Sequence, residues 1–219
     1  MSDNRTFFLF VVDRSGSMGT PPGFREEMEL GINRFLNDQK EVPGKCRVTL
    51  AHFDTEYEEV FTNVKLAEVP TVTIVPRGGT ALLDSVGNAV TDLRAHIKSL
   101  PKGKRPDKVL VTIITDGQEN SSREWNNKKV QDLVAECIKD GWEFSYLGAN
   151  QDAFAEGRTI GVPIASTLSY TPATAYAVMG AHTHSTSAWR TGTLGNMQYS
   201  GAQRTAADPN AVIPDQTNK

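Results

Sequence analysis

The feature that most constrains this chain is the run Phe7-Phe8-Leu9-Phe10-Val11-Val12, six consecutive aromatic and aliphatic residues closed by Asp13 and a turn through Arg14-Ser15-Gly16-Ser17. Its positions do not alternate between polar and apolar, so neither face of the segment tolerates water. A strand covered on both sides, at the centre of a parallel sheet, accommodates it. The run stops at a carboxylate. Asp13, Ser15 and Ser17 then offer one charged and two neutral oxygens at i, i+2 and i+4, which a loop leaving the strand can turn toward one hard cation such as Mg2+ or Mn2+. By itself the pentapeptide fits an Asx-turn capping the next helix equally well.

Two further segments shift that balance. Arg77-Gly78-Gly79-Thr80-Ala81-Leu82 places a hydroxyl after a paired-glycine turn and ahead of a helical pattern, and Val109-Leu110-Val111-Thr112-Ile113-Ile114-Thr115-Asp116-Gly117 is a second apolar strand ending at an Asp. Together the three segments resemble the metal-ion-dependent adhesion site of the von Willebrand factor A domain family, written D-x-S-x-S, then T, then D. Asp13, Ser15, Ser17, Thr80 and Asp116 fall in that order, with Gly78, Gly79 and Gly117 as the companions common in the family. The resemblance spans residues 5–190 and is closest to bacterial or phage intracellular members.

What the resemblance implies is specific. The fold is α/β, doubly wound and Rossmann-like: a mostly parallel central sheet with one antiparallel edge strand, helices on both faces, and the first and fourth strands adjacent. The five residues form a Mg2+ or Mn2+ site, some touching the metal and others acting through water. One coordination position stays open, to be filled by an Asp or Glu of a partner protein.

The remaining periodicity agrees with such a sheet. Helical stripes occupy 24–40 and 82–100, and a third helix carries Trp125, Val130, Leu133, Val134 and Cys137 on its buried side, with Ser121 or Ser122 as its cap. Strands are expected at 46–53, at 57–64 as a polar edge joined through Asp54-Thr55, at 142–148, and at 162–165 as a short Pro-containing edge. Residues 149–152 cap a short helix reaching Arg158, and Thr171-Pro172 starts a last helix with Tyr176, Met179, Thr183 and Ala188 as a weak stripe ending at Gly192. The domain is thus placed at 1–192, and 193–219 reads as a largely disordered C-terminal tail because its composition lacks periodicity. Strands alternating with helices require right-handed crossovers, which gather ligands at the carboxyl ends of the strands beside the point where strand order reverses.

Several residues invite a functional reading that the sequence does not favour. His52 is a lone strand histidine and reads as structural. Asp84 reads as an exposed helix-start carboxylate, with a role in holding a metal-bound water as the alternative. His182 and His184, at i and i+2 on a helix, point to different sides, which disfavours a transition-metal pair.

Charge and cysteine usage narrow the class further. With 23 basic against 26 acidic residues the net charge is −3, and no helix carries a basic stripe, so nucleic acid is not the expected partner. Cys46 and Cys137 show no metal or redox spacing and read as buried small hydrophobes. The apolar run near the amino terminus is too short for a secretion signal or a membrane span, and the expected location is cytoplasmic, away from the membrane. The function expected is a non-enzymatic, metal-dependent protein-binding or scaffold domain. A metal-dependent phosphohydrolase is the alternative, but a haloacid-dehalogenase type would want a carboxylate where Ser15 stands, and no phosphate-binding G-x-x-x-x-G-K-[ST] loop is present. A third possibility is a subunit of an ATPase-containing or stress-response assembly.

Overall fold

The computed structural model describes residues 4–149 and 152–214. In chain order the elements are β1 (Thr6–Asp13), α1 (Phe24–Lys40), β2 (Cys46–Phe53), β3 (Tyr57–Lys65), α2 (Leu82–Ser99), β4 (Lys108–Thr115), α3 (Asn127–Lys139), β5 (Glu143–Ala149), α4 (Ala153–Thr159), β6 (Thr167–Tyr170), α5 (Ala175–Thr191) and α6 (Gly201–Ala207). The strands form one sheet in the order β3-β2-β1-β4-β5-β6. Every neighbouring pair is parallel except β2 and β3, which run antiparallel at one edge.

Every residue of β1 is buried, as its unbroken apolar run requires. The strand's period of two divides its side chains between two cores. Phe8, Phe10 and Val12 pack with Met28, Ile32 and Phe35 of α1 and with Val178 and Met179 of α5. Phe7, Leu9 and Val11 pack with Val86 and Val90 of α2 and Val130 and Val134 of α3. From β1 the chain moves outward through β2 and β3 and then crosses back to β4 on the other side. The carboxyl ends of β1 and β4 therefore flank the point where strand order reverses.

Four expectations are corrected. The last edge strand is not at 162–165: Pro163, which has no N–H to give to a ladder, leads into a 3-10 turn at Ile164–Ser166, and the strand is Thr167–Tyr170 paired with β5. α3 begins at Asn127 and is capped by the Asn126 side chain, so neither Ser121 nor Ser122 caps it and Trp125 precedes it. The buried side of α5 is not the stripe through Tyr176 and Ala188 but Val178, Met179, His182, Ser185, Thr186, Trp189 and Arg190, of which His182, Ser185 and Arg190 enter with hydrogen-bond partners. Arg190 donates to the Gln39 carbonyl at 2.7 Å, and the His182 ring lies 4.9 Å from Phe35 in a stacked arrangement.

The fourth correction concerns the segment after Gly192. Met197, Tyr199, Arg204 and Ala207 are all buried, and α6 opens with a reciprocal cap between Ser200 and Gln203. Arg204 donates to the carbonyls of Ile164 and Ala165 at 2.8 and 2.9 Å. Isolated anchors hold this stretch to the domain where a periodic apolar run is missing. Of the expected tail, residues 215–219 lie outside the described residues, as do Asn150 and Gln151 of the α4 capping segment; Asp152 itself accepts from the Ala155 N–H at 3.0 Å.

Candidate metal centre

Asp13 ends β1 with both carboxylate oxygens engaged. Oδ1 accepts the Ser15 N–H at 2.6 Å, which folds the loop back over the strand end, and Oδ2 accepts the Thr115 hydroxyl at 2.6 Å. The second contact follows from register: Val12 pairs with Ile114, so the next residues, Asp13 and Thr115, are cross-strand neighbours. Ser15 Oγ lies 3.0 Å from Ser17 Oγ, and Ser17 Oγ donates to Asp116 Oδ1 at 2.8 Å.

Thr80 arrives on the third segment. A Cβ built on Gly117 would stand 3.1 Å from Thr80 Oγ1 and 3.7 Å from Ser17 Oγ, so both hydroxyls gather round the same glycine. The absence of a side chain at Gly117 is what lets the segments close up. The Thr80 N–H donates to Asn120 Oδ1 at 2.9 Å, its carbonyl accepts the Asn120 N–H at 3.0 Å, and the Gly16 N–H reaches the Gly78 carbonyl at 3.2 Å. Asp13, Ser15, Ser17, Thr80 and Asp116 thus converge as the sequence places them. Ser17 alone among the five is exposed, and the site opens on its side.

The electrostatics of this cluster suit a cation. Burial pushes the Asp116 carboxyl up to about 6 in spite of the Ser17 hydroxyl, and the neighbouring Asp13 charge adds to the rise. Burial likewise raises Asp13. Asp116 Oδ2 is buried without a hydrogen-bond partner. An orphaned buried carboxylate oxygen beside a second carboxylate is costly unless a positive charge neutralises it. The guanidinium of Arg14, in the same loop, is drawn away: it bonds Asp54 at 2.7 Å and Glu58 at 2.6 Å. Among the described residues no group of three or more His, Cys, Asp or Glu side chains surrounds a common point. The donors here are two carboxylates and three hydroxyls, a hard-oxygen set that matches Mg2+ or Mn2+ better than a thiophilic metal.

Further polar residues, given other readings or none from the sequence, hold the three segments. Asp54 Oδ2 also accepts Arg77 at 2.7 Å; burial works to raise this carboxyl, but the Arg77, Arg14 and Glu56 N–H donors outweigh it and hold it at about 2. His52 is buried beside this cluster, and burial followed by the Arg14 charge lowers it to about 4, in keeping with a structural role. Glu119 Oε2 accepts the Leu83 N–H and Ser122 Oγ the Asp84 N–H, so the loop after β4 caps α2 rather than α3. Asp84 stands in the first turn of α2 as expected but is half-buried rather than exposed: its carboxylate accepts the N–H groups of Arg123, Glu124 and Trp125 at 2.7–2.9 Å and shapes that same loop. The signals were Thr115 and Asp54 at strand ends, and the Asn120 amide two residues before a helix-capping serine.

Comparison with known proteins adds the following. A model of the von Willebrand factor type A domain matches residues 9–179. No curated protein matches the chain significantly. The fold is similar to proximal thread matrix protein 1 from the mussel byssus (TM-score 0.59, 15% identity, 85% of this chain and 47% of that one), so the chain spans about half of that protein's length. It is also similar to manganese-loaded TRAP protein of Plasmodium vivax (TM-score 0.54, 16% identity, 81% of this chain and 72% of that one). A third likeness is the vWF domain of the type V pili tip protein Mfa5 from Porphyromonas gingivalis (TM-score 0.57, 12% identity, 90% of this chain and 97% of that one). Another structure of the mussel protein, matched at TM-score 0.54 and 16% identity over 78% of this chain and 43% of that one, has a zinc-occupied metal-ion-dependent adhesion site. At these identities the likenesses establish the shared fold.

Proposed function

We propose, from the premise that the chain belongs to the von Willebrand factor type A domain family, that it is a protein-binding domain whose grip depends on a divalent cation and on a carboxylate supplied by the partner. The observation that carries this reading is the run of contacts from the Ser15 hydroxyl to that of Ser17 and on to Asp116, with the Thr80 hydroxyl beside the adjoining Gly117 and Asp116 Oδ2 buried without a partner. Mg2+ or Mn2+ would be held by these groups with Asp13 contributing charge, and would supply a Lewis-acidic contact for an incoming Asp or Glu.

This chain's own residues do the positioning. Asp13 fixes Ser15 through its backbone N–H and ties the ends of β1 and β4 together through Thr115. Asn120 fixes Thr80. Exposed Ser17 marks the side on which a partner docks. A non-enzymatic role is supported by the family, whose domains serve mainly as adhesion and protein-interaction modules.

The test is capture of partners from native lysate in Mg2+ with release by chelator, beside the Asp13→Ala chain. A partner should appear only with metal and only with Asp13 intact. Retention that survives both chelator and Asp13→Ala would overturn the reading, and so would phosphoester hydrolysis in Mg2+ or Mn2+ that Asp13→Asn abolishes.

A further inference from the structure

Between β3 and the metal centre the chain passes through a stretch that is built like a strand but belongs to no sheet. Thr71-Val72-Thr73-Ile74-Val75 is a run of β-branched residues bounded by Pro70 and Pro76, a composition that favours extended backbone. Residues 69–77 run without a turn or bend, and exposure alternates along them. Val72 and Ile74 are buried in the core beneath α1, whereas Thr71, Thr73 and Val75 are exposed, Val75 by 67%. That is the period of two of a strand. The sheet order β3-β2-β1-β4-β5-β6 nevertheless leaves the stretch out.

Extended backbone turns the N–H and C=O groups of alternate residues to opposite edges. Along one edge α1 stands in for a neighbouring strand. The Asn33 side chain accepts the Val72 N–H and donates to the Val72 carbonyl, both at 2.8 Å, and Glu29 Oε1 accepts the Ile74 N–H at 2.6 Å. The backbone groups of Thr71, Thr73 and Val75 face the other way and make no hydrogen bond among the described residues. An uncharged edge with free donors and acceptors is a template for a further strand. We propose that this edge docks an extended segment of the partner protein, paired with Thr71, Thr73 and Val75, so that an Asp or Glu beyond the paired stretch reaches the metal.

This mode of docking rests on the reading that a partner carboxylate completes the metal, and the edge runs directly into the metal loop. A Cβ on Gly19 would stand 3.4 Å from the Pro76 ring, the Arg77 N–H donates to the Arg14 carbonyl at 2.8 Å, and the Gly16 N–H reaches the Gly78 carbonyl at 3.2 Å. The length of the edge decides between a partner segment and a second copy of this chain. Residues 71–75 span about 17 Å. Pairing over that length alone falls well short of the roughly 1,000 Å2 that a stable dimer buries. A segment that also holds the metal needs less, because each contact forms within a chain the other has already tethered. The outward side chains of Thr71, Thr73 and Val75 carry no charge, so the matching segment is neutral and β-branched where it pairs, with its acid beyond.

The experiment is calorimetric and NMR titration of the full chain in Mg2+ with a blocked peptide of alternating Thr and Val, flanked on each side by glycines and an Asp so that either strand direction can reach the metal. One comparator peptide carries Asn for Asp, and another is N-methylated along its Thr and Val backbone. The Asp peptide should bind at submillimolar concentration and slow hydrogen exchange at the Thr71, Thr73 and Val75 amides, but not further at those of Val72 and Ile74, which are bonded already. N-methylation should weaken binding about tenfold, as should Thr73→Pro, which removes an outward donor, and so should chelator or the Asn peptide. Metal loading is read separately, from the Ser17 and Thr80 amide shifts on adding Mg2+ alone. No saturation below about 10 mM, or equal binding of the N-methylated peptide, overturns the docking edge while those shifts still report the metal. Protection of the three amides that is the same in chelator and with the Asn peptide supports the edge and overturns the carboxylate contact. Protection that needs no peptide and grows with protein concentration puts a second copy on the edge and overturns the partner segment.

Discussion

Replacing His182 by a side chain that does not titrate should change how the stability of this domain depends on pH, and the structure fixes both sign and size. His182 is fully buried on the inner side of α5, with Nε2 at 3.0 Å from the Thr112 hydroxyl and Nδ1 at 2.8 Å from the Tyr199 hydroxyl. It is stacked on Phe35 and meets Phe10 edge-on. Burial pushes its imidazole from the ordinary 6.5 down to about 3. The folded chain therefore keeps His182 neutral over a range in which the unfolded chain takes up a proton. Stability is complete above pH 6.5 and is lost as pH falls from there toward 3.

Between pH 7.5 and pH 5 that linkage, for one group moving from 6.5 to 3, amounts to about 2 kcal/mol. In a chain of this length it corresponds to a shift of roughly 4–8 °C in Tm. The overall pH profile is not the readout, because His52, lowered to about 4, acts in the same direction while Asp116, raised to about 6, opposes both. The readout is the stability gap between the natural chain and His182→Gln, from urea unfolding at pH 7.5 and pH 5. The variant is less stable at pH 7.5 because Thr112 and Tyr199 lose their ring partner, and the gap should narrow by about 2 kcal/mol at pH 5. A gap of the same size at both pH values would refute the reasoning.

Four other outcomes are expected. Mn2+ at a hundredfold excess over its Kd should stabilise the natural chain by about 2.7 kcal/mol, and Asp116→Asn or Ser15→Ala should remove most of that gain, as thermal melts with and without chelator will show. Gly87→Ala would place a Cβ 2.1 Å from the Trp125 ring, so the ring must leave; a loss of about 1–3 kcal/mol is expected, with weaker Mn2+ binding because the same loop carries Asn120. Arg14→Met leaves the buried Asp54 with Arg77 as its remaining cation and should cost about 2–3 kcal/mol by urea unfolding. Tyr199→Phe removes hydroxyl contacts to His182 and to Ser145 at 2.8 and 3.2 Å and should cost about 1–2 kcal/mol, less when combined with His182→Gln because the two share a bond.

How much of this was legible beforehand follows a physical division. Elements whose burial is apolar and periodic were readable: α1, β2 and the hydrophobic body of β1 and β4 fall where their patterns place them, and so does the first-to-fourth strand adjacency implied by the family resemblance. The five converging oxygens were readable because each sits on a strand end or helix start with a distinctive neighbour. What escaped was burial achieved by polar pairing. Arg190 is 1% exposed and Arg204 is 4% exposed, each paying for its place with backbone carbonyls supplied by distant segments, Gln39 for one and Ile164 and Ala165 for the other. A count of apolar residues cannot register such a contact, so the inner side of α5 and the packing of residues 197–208 were misjudged together.

The same division explains why chemistry collects at the two ends of the strands. Along their lengths β1 and β4 are covered on both faces, so a charged side chain there would lose its water and meet mainly apolar side chains. Charged groups collect at the ends, where helix termini and loops bring partners, and the uncharged Thr112 and Ser145 alone carry hydrogen bonds named above from within a strand. At the carboxyl end the start of α2 is positive by its dipole, yet Glu119 and Ser122 already satisfy its Leu83 and Asp84 N–H groups. Arg14 and Arg77 are similarly committed to Asp54. Arg14, Arg77 and the first N–H groups of α2 are thus assigned elsewhere, and Asp13 and Asp116 are left without a positive partner among the described residues. At the amino end the assignment is reversed: Arg105 is committed to the final carbonyls of α2 and offsets the negative end of its dipole.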